Sequence, residues 1–309
     1  MQQRHTHIIL CCLAMAALTA VVACGGDGED NDGIRLRDSS KAEAAQAPID
    51  ANRIEVPALK SGNKFVCHTV QYNGHTVMNY CLEFDPNRMH SRWVAFRFDG
   101  DTRARNVSRQ DAWADDPDLP SSMWVGTEYF NGYNRGHLVA SNDRRFCREA
   151  NQQTFYMSNM TPQLGSFNSI YWARLEQVVQ TMGWNQYPYK DFADTLYVVK
   201  GGFIDNASDL RGSLTRPNGK MMAIPGHYFM ALLRVKGKQY DAAGFWLAHT
   251  SYPYENAEDV PVTAFIDRNQ IVKIDQLEEL TGIDFFHNLP DDIETDVESK
   301  LSTGIWLKN

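Results

Sequence analysis

Residues 65–85, "FVCHTVQYNGHTVMNYCLEFD", constrain the fold most strongly, because they have the pattern of a β-hairpin. Two runs rich in β-branched and aromatic residues flank Asn73-Gly74, a dipeptide typical of two-residue hairpin turns. A strict two-residue turn would place Cys67 opposite residue 80, so a one-residue bulge is needed to bring it opposite Cys81. We therefore predict a bulged hairpin closed by a Cys67–Cys81 disulfide, which leaves Cys147 free and buried.

The first 24 residues have the pattern of an export signal. Arg4 precedes an apolar run of signal-peptide length, which is too short to span a bilayer comfortably. The run ends in "VVAC", which resembles the cleavage box of bacterial lipoproteins. We predict that residues 1–23 are removed and that lipid on Cys24 holds the chain in the bacterial cell envelope, at the outer membrane, facing the periplasm or the cell surface. The alternative is an ordinary secretory signal with incidental cysteines. The periplasm and the cell surface are both oxidising, so a disulfide can form in either.

The rest of the chain divides into a tether and one domain. Residues 24–61 are rich in Gly, Asp and Ala without hydrophobic periodicity, which predicts a flexible tether. Its acidic start, "GDGEDND", resembles the surface-export signal of some lipoproteins; the alternative is a solubilising spacer. Residues 62–309 are predicted to form one α+β domain, in which flanking helices cover a mixed or antiparallel sheet. Strands are predicted at 65–72, 76–85, 91–99, 195–204, 226–236 and 240–248, and helices at 168–182 and 275–283.

The net charge does not decide whether the ligand is a polyanion. The formal value is −8, but binding follows local patches of charge and not the total. Much of the acid lies near the two ends of the sequence. Around residues 131–149 the balance reverses, with four arginines against two acids: Arg135, Arg144, Arg145 and Arg148 against Asp143 and Glu149.

The helix predicted over residues 168–182 carries a clear apolar stripe. Its members at helical spacing are Trp172, Leu175, Val179 and Met182, with Gly183 closing the run. Asn168 stands where an N-cap belongs. Phe167 before it and Trp172 after it match a hydrophobic staple, so the helix is expected to begin at Asn168.

Polar residues near this helix suit phosphodiester chemistry. A neutral His137, with an ordinary pKa of about 6.5, can take a proton from water, and Gly136 beside it is expected to leave space for a large ligand. Arg135 has the fork geometry for a phosphate. Asn168 can bind a hard cation through its amide oxygen, whereas Glu176 lies about 12 Å further along the helix axis and suits an outer role through water. Each residue alone also has an ordinary structural explanation.

Three ordered segments together carry a more specific signal: "NRGHLVASNDR", "TFYMSNMTPQ" and "FNSIYWARLE". They resemble the DNA/RNA non-specific endonuclease family, with its ββα-metal active site. That family has Asp-Arg-Gly-His, then Ser-Asn-x-(Ser/Thr)-Pro-Gln, then an Asn that opens a helix. Weaker similarity extends over nearly all residues from about 64 onward.

The resemblance implies a role for each matching residue. His137 would be the general base, and Arg135 would clamp the phosphate. Asn168 would be the sole direct protein ligand of one Mg²⁺, with Mn²⁺ or another divalent ion as alternatives, and Glu176 would hold the waters of this ion. Asn159 would support the site through hydrogen bonds. Arg109 is the candidate for an upstream arginine that the family uses.

Three positions depart from the family pattern. Asn134 stands where the family has Asp, and we expect its amide to keep the hydrogen bond of the acid without its charge. Gln180 stands where some members carry an arginine, and Met230 where the family commonly has a lysine. Because the residues with the main roles are all retained, we predict an active site.

Three functions from different classes remain in competition. The leading hypothesis is a Mg²⁺-dependent non-specific endonuclease with DNA and RNA as substrates, anchored to the membrane through Cys24. The second is a surface nucleic-acid-binding lipoprotein with weak or no catalysis, which Asn134 favours and the retained His137–Asn168 pair opposes. The third is a structural envelope lipoprotein, which leaves the three motif segments unexplained. The sequence gives no indication of the oligomeric state.

Overall fold

The computed structural model describes residues 52–308, which are built around a seven-stranded sheet. The predicted signal peptide, Cys24 and most of the predicted tether lie outside this range. The strands are β1 (Lys64–Tyr72), β2 (His75–Asp85), β3 (His90–Phe98), β4 (Asn134–His137), β5 (Met160–Gln163), β6 (Thr195–Gly202), β7 (Gly212–Thr215), β8 (Met221–Ile224), β9 (His227–Lys236), β10 (Gln239–Ala248) and β11 (Ile271–Val272). The large sheet has the order β1-β2-β3-β6-β9-β10-β11, and all of its neighbouring strands are antiparallel.

Short ribbons and helices complete the described part of the chain. β4 pairs with β5, and β7 pairs with β8, each as a two-stranded antiparallel ribbon. The α-helices are α1 (Arg148–Gln153), α2 (Ala173–Gly183), α3 (Ala264–Asp267), α4 (Ile274–Thr281), α5 (Asp291–Glu298) and α6 (Thr303–Trp306). Single 3₁₀ turns lie at Ser121–Met123, Ser141–Asp143, Met157–Asn159, Ala207–Asp209 and Ala257–Asp259. The predicted α+β class, with an antiparallel sheet and flanking helices, is confirmed.

Helices cover both faces of the sheet, so its strands are buried on both sides. Side chains alternate between the faces of a strand. On β3, Phe96 and Phe98 pack in one apolar cluster with Leu175 of α2. Trp93 and Ala95 point the other way, into a cluster that includes residues of α4 and α5. The sheet therefore separates a layer containing α2 from a layer containing α4 and α5.

The β1–β2 hairpin forms as the sequence pattern indicates. Asn73 and Gly74 both have positive φ, of 50° and 82°, as a turn that matches the twist of the strands requires. The register shifts between His68 and Thr69, and this bulge brings Cys67 opposite Cys81. A disulfide joins these two cysteines. Cys147 is free but only half-buried, because it stands at the edge of a small satellite cluster and not in the main core.

Two predicted boundaries differ from the structure. Residues 53–58, assigned to the tether, pack on the domain: Val56 is fully buried and the Ala58 N–H donates to the Asp284 carbonyl at 3.0 Å. The apolar residues Ile54 and Val56 form too short a run to stand out from the tether in the sequence. The helix predicted to begin at Asn168 starts earlier and contains a π-helical segment, Phe167–Trp172, before α2. Asn168 is not a cap, since its own N–H donates to the Leu164 carbonyl at 2.8 Å.

None of the helices within residues 52–308 has the length and hydropathy that crossing a bilayer requires.

Candidate active site

The predicted site residues converge on one open cavity of about 500 Å³. It lies where the β4–β5 ribbon meets the π-helical segment and α2. Six of the seven predicted catalytic and metal-binding residues line it: Arg109, Asn134, Arg135, His137, Asn168 and Glu176. The seventh, Asn159, is fully buried and does not line the cavity. A larger groove of about 890 Å³, between Phe192 and Lys308, contains none of the seven.

The β4–β5 ribbon sets the position of His137. The register pairs Asn134 with Gln163 and His137 with Met160, so the first two motif segments form one unit. Gly136 was expected to leave space for a ligand, and this interpretation is wrong. A Cβ atom at Gly136 would overlap the Gln163 side chain, which fills the space. The glycine is needed because Gln163 approaches its backbone closely.

His137 is held between two aromatic rings. The Phe155 ring meets it edge-on with centroids 5.0 Å apart, and the Trp113 ring lies at 5.5 Å. The Nε2 atom is buried and has no hydrogen-bond partner among residues 52–308. Since Nε2 is enclosed while His137 lines the cavity, we infer that Nδ1 is the ring nitrogen that faces it. The rings thus fix the direction in which His137 presents a nitrogen to a ligand.

The imidazole of His137 is neutral. Burial lowers its pKa to about 3, and the positive charges of Arg109, Arg135 and Lys200 contribute to the same shift. A neutral imidazole has a free lone pair and can accept a proton. A bound phosphate would offset the charge of the two arginines and raise the basicity of His137. The site therefore holds a base that becomes stronger when an anionic ligand arrives.

Asn159 fixes the chain immediately after His137. Its side-chain Oδ1 accepts from the Val139 N–H at 2.8 Å, and its Nδ2 donates to the Val139 carbonyl at 2.9 Å and to the Thr154 carbonyl at 2.7 Å. Its own carbonyl accepts from the Leu138 N–H at 3.0 Å. One buried amide therefore ties the end of β4 to the segment before β5.

The two arginines of the cavity are held in different ways. The Arg135 guanidinium stacks between Trp113 and Tyr129, at 3.6 and 4.4 Å from the ring centroids, and donates to the Thr127 carbonyl at 2.9 Å. Stacking orients the planar fork while its remaining donors stay available for a phosphate. Arg109 is half exposed and pairs with Asp111 at 2.7 Å.

Arg144, which the sequence analysis counted in the locally basic stretch of residues 131–149, is fully buried. It donates to the Arg97 carbonyl at 2.9 Å and stacks on Phe96 and Phe98. Burial lowers its pKa to about 10. The local basic surface is therefore smaller than the sequence suggests, because a charge count cannot distinguish a structural arginine from an exposed one.

Asn168 and Glu176 face the same cavity from one helical stretch. Asn168 is partly exposed within the π-helical segment, a rare form that is frequent at functional sites. Its side-chain amide has no hydrogen-bond partner within residues 52–308. A free amide oxygen and a carboxylate that line one cavity are donors expected for a hard cation that keeps most of its water. The residues present therefore fit a Mg²⁺-like ion.

Glu176 is anchored by a residue that the sequence analysis missed. Lys200 of β6 is fully buried, and its Nζ donates to Glu176 Oε1 and to Asp143 Oδ2, both at 2.9 Å. Burial alone would lower the pKa of Lys200, but the two carboxylates raise it above its usual value. Burial also raises the pKa of Glu176; Lys200 opposes this shift and Asp143 adds to it. The signal was visible, since a lysine interrupts the apolar strand "TLYVVKGGFI" and a buried charge needs partners.

The three departures from the family pattern have different consequences. Gln180 donates to Asp143 at 2.8 Å and accepts from Asn142 at 2.9 Å, so it belongs to the same buried network. Met230 lies directly opposite Lys200 in the sheet register. The chain therefore carries a lysine on the neighbouring strand, directly opposite the position where the family commonly has one.

Asn134 does not make the hydrogen bond expected of it. The residue is exposed at the start of β4, and its side chain has no hydrogen-bond partner in the described part of the chain. Since the side chain lines the cavity, its amide is available to a ligand.

Comparisons with known proteins find nucleases. Residues 61–292 match the family model described as DNA/RNA non-specific endonuclease. A protein named Nuclease, from Nostoc sp., is 29% identical over 229 residues that cover 72% of this chain and 76% of that protein. The mitochondrial nuclease of Saccharomyces cerevisiae is 29% identical over 202 residues, 60% of this chain and 57% of that protein. Human mitochondrial Endonuclease G is 26% identical over 227 residues, 68% of each chain. A chain from the crystal structure of the EndoG/EndoGI complex shares the fold, with a TM-score of 0.54 and 19% identity over 74% of this chain and 89% of that chain.

Proposed function

The chain belongs to the DNA/RNA non-specific endonuclease family, and from this premise we propose a divalent-metal-dependent endonuclease that acts on both DNA and RNA outside the cytoplasm. The observation that carries the proposal is the meeting of a neutral His137, a stacked Arg135 and a free Asn168 amide in one cavity. A protein that only bound nucleic acid would need the arginines, but it would not need a neutral histidine whose ring nitrogen faces the bound phosphate.

Arg135 and His137 divide the chemistry between them. Arg135 binds the phosphate through the donors that its stacked position leaves available. The cavity-facing nitrogen of His137 takes a proton from a water molecule as the water oxygen bonds to phosphorus. The bond from phosphorus to the 3′-oxygen then breaks, and this oxygen receives a proton from solvent. Arg109 adds a second positive charge near the developing negative charge.

Asn168 would bind the metal ion directly, and Glu176 would orient the water molecules around it. When bound, Mg²⁺ or a similar ion supplies charge stabilisation for the phosphorane oxygens and the leaving 3′-oxygen. Lys200 and Asp143 hold the Glu176 carboxylate in place. Proper orientation of such outer groups typically changes activity or metal affinity by about 10- to 100-fold.

Lack of sequence preference follows from the chemistry of the cavity. Its lining offers arginines, amides and aromatic rings, which suit phosphates and the flat faces of bases. Contacts to phosphate and sugar carry no sequence information directly. Stacking on an exposed ring such as Tyr129 is also tolerant of sequence, because every base has a π-face.

The location and biological role extend the same proposal. The export signal, Cys24 and the Cys67–Cys81 disulfide are consistent with a lipid-anchored enzyme in the bacterial envelope. We infer that it degrades extracellular nucleic acid for nutrients. A deletion strain that grows normally with DNA as its only phosphate source would contradict this role.

Cleavage by the full chain tests the proposed activity. Supercoiled plasmid and single-stranded RNA are incubated with Mg²⁺ or with EDTA, and His137→Ala is compared with the parent protein. Degradation of both substrates that requires the metal and His137 supports the endonuclease. Salt-dependent binding of long DNA without any cutting, in a folded protein tested with several divalent ions, would instead favour the nucleic-acid-binding lipoprotein.

A further inference from the structure

Three carboxylates from α4 and α5 lie together on the face of the sheet opposite the candidate active site. They belong to Asp275, Glu278 and Glu298, and one oxygen of each lies within 4.8 Å of the others. The two helices pack in the apolar cluster of Trp93 and Ala95, whereas α2 lies in the other cluster. The three carboxylates are therefore separate from the nuclease cavity.

Among residues 52–308, the charged side chains that act most strongly on Glu278 and Glu298 are acidic. The charges that act on Glu298 come from Glu278, Glu294, Asp275 and Asp284, all acidic.

Glu298 is also placed unfavourably for a helix end. It is the last residue of α5, and no basic residue lies in the last turn. The C-terminal end of a helix carries partial negative charge, which disfavours a carboxylate and favours a cation.

The Glu298 side chain has an unpartnered oxygen that points to a missing ligand. Glu298 is 8% exposed, and its Oε1 is buried with no hydrogen-bond partner among residues 52–308. Burying a polar atom without a partner is costly, and for a charged group the cost is higher. By contrast, Glu278 Oε1 accepts from the Phe285 N–H at 2.7 Å, so one ligand candidate is already oriented by the backbone.

We propose that Asp275, Glu278 and Glu298 bind a Ca²⁺ ion that links α4 to α5. Two oxygens that each bind one Ca²⁺ at about 2.4 Å are at most about 4.8 Å apart, and the three carboxylate oxygens all lie within that distance of one another. A set of carboxylate oxygens without nitrogen or sulfur suits a hard cation. Asp275 is exposed, so water can complete the shell. The ion would neutralise the cluster and stabilise the packing of the two helices, independently of the proposed nuclease activity.

Calcium binding by the full chain tests this site. Asn168→Ala is the background, because it removes the proposed ligand of the active site and leaves α4 and α5 unchanged. Binding of radioactive Ca²⁺ is measured by equilibrium dialysis, and the melting temperature is compared in Ca²⁺ and in EDTA. For a dissociation constant of about 10⁻⁴–10⁻³ M, about 10 mM Ca²⁺ is expected to raise Tm by about 3–10 °C.

The expected result is one Ca²⁺ per chain in Asn168→Ala and none after adding Glu298→Gln, whose Tm no longer responds to Ca²⁺. Glu258→Gln, which removes an exposed acid elsewhere, is expected to leave both readouts unchanged. Absence of bound Ca²⁺ in Asn168→Ala, or unchanged binding after Glu298→Gln, would overturn the proposal. Equal binding and stabilisation by Mg²⁺ would overturn the assignment to Ca²⁺. If the Asn168→Ala protein binds no Ca²⁺ and adding Glu298→Gln raises its Tm in EDTA, the proposal is wrong and Glu298 is a neutral buried acid.

Discussion

Replacing Lys200 by Met tests the claim that a buried ammonium holds Glu176 in place. Methionine keeps the length of the side chain but removes two hydrogen bonds of 2.9 Å to Glu176 and Asp143. Removing one partner of a buried ion pair costs about 3–5 kcal/mol, because a charge is left unpaired. We expect Tm to fall by roughly 6–20 °C. Since Glu176 loses its anchor, kcat is expected to fall by roughly 100-fold.

Moving the lysine provides the control for this prediction. Met230 lies directly opposite Lys200, and cross-strand partners point to the same face of a sheet. The double variant Lys200→Met/Met230→Lys therefore returns one ammonium to nearly the same place. We expect it to recover most of the lost kcat, whereas Met230→Lys alone places two like charges together and destabilises the fold.

The assay combines initial rates on duplex DNA, at saturating divalent metal, with thermal unfolding followed by circular dichroism. The metal affinity of each variant is measured separately by isothermal titration of Mn²⁺. A Lys200→Met protein with parental kcat and Tm would refute the argument. A double variant that melts like the parent but cuts as slowly as Lys200→Met would limit Lys200 to a structural role.

Three further predictions concern single positions. Gly136→Ala is expected to force Gln163 away from the β4–β5 ribbon and to lower kcat at least about 10-fold, whereas Gly100→Ala, in open space, is expected to leave the cleavage rate unchanged. Asn134→Asp adds a negative charge to the cavity, so we expect a stronger His137 base and a several-fold higher kcat/KM on DNA; an unchanged rate would show that the charge is irrelevant here. His68 hydrogen-bonds Asp116 and Asp118; burial alone would lower its pKa, but these acids raise it above 6.5. Protonated His68 therefore stabilises the fold fully below about pH 6.5, and this stabilisation is lost as pH rises through the folded-state pKa. The free energy of unfolding, measured in urea at pH 5 and pH 9, should therefore change less between the two pH values in His68→Gln than in the parent protein.

Local patterns predicted the features that depend on neighbours in sequence. Asn73-Gly74 fixes the hairpin turn, and the count from that turn to Cys67 and Cys81 predicts the bulge that the structure contains. The helical stripe through Trp172 and Leu175 persists, although a π-helical segment moves the start of the helix. Periodicity reports which face is buried but not where a helix begins.

Features that depend on distant neighbours could not be read in this way. Lys200 meets Glu176 only because β6 and α2 pack together, and a lysine in a strand does not reveal its partner. Nothing in the local sequence distinguishes Arg144 from a surface arginine. It is buried because it donates to the Arg97 carbonyl and stacks on the Phe96 ring, and both residues belong to β3. Gly136 was expected to admit a ligand, but the strand pairing that brings Gln163 against it is a tertiary contact.

Chemical rescue of His137 tests the central claim most directly. His137→Gly leaves a space between the rings of Phe155 and Trp113 that has the size of an imidazole. The variant is expected to lose DNA and RNA cleavage and to regain it as imidazole is added, with a rate that follows the concentration of the neutral base. Parental activity in His137→Gly without imidazole would contradict the account. So would a folded, metal-binding variant that no concentration of imidazole restores.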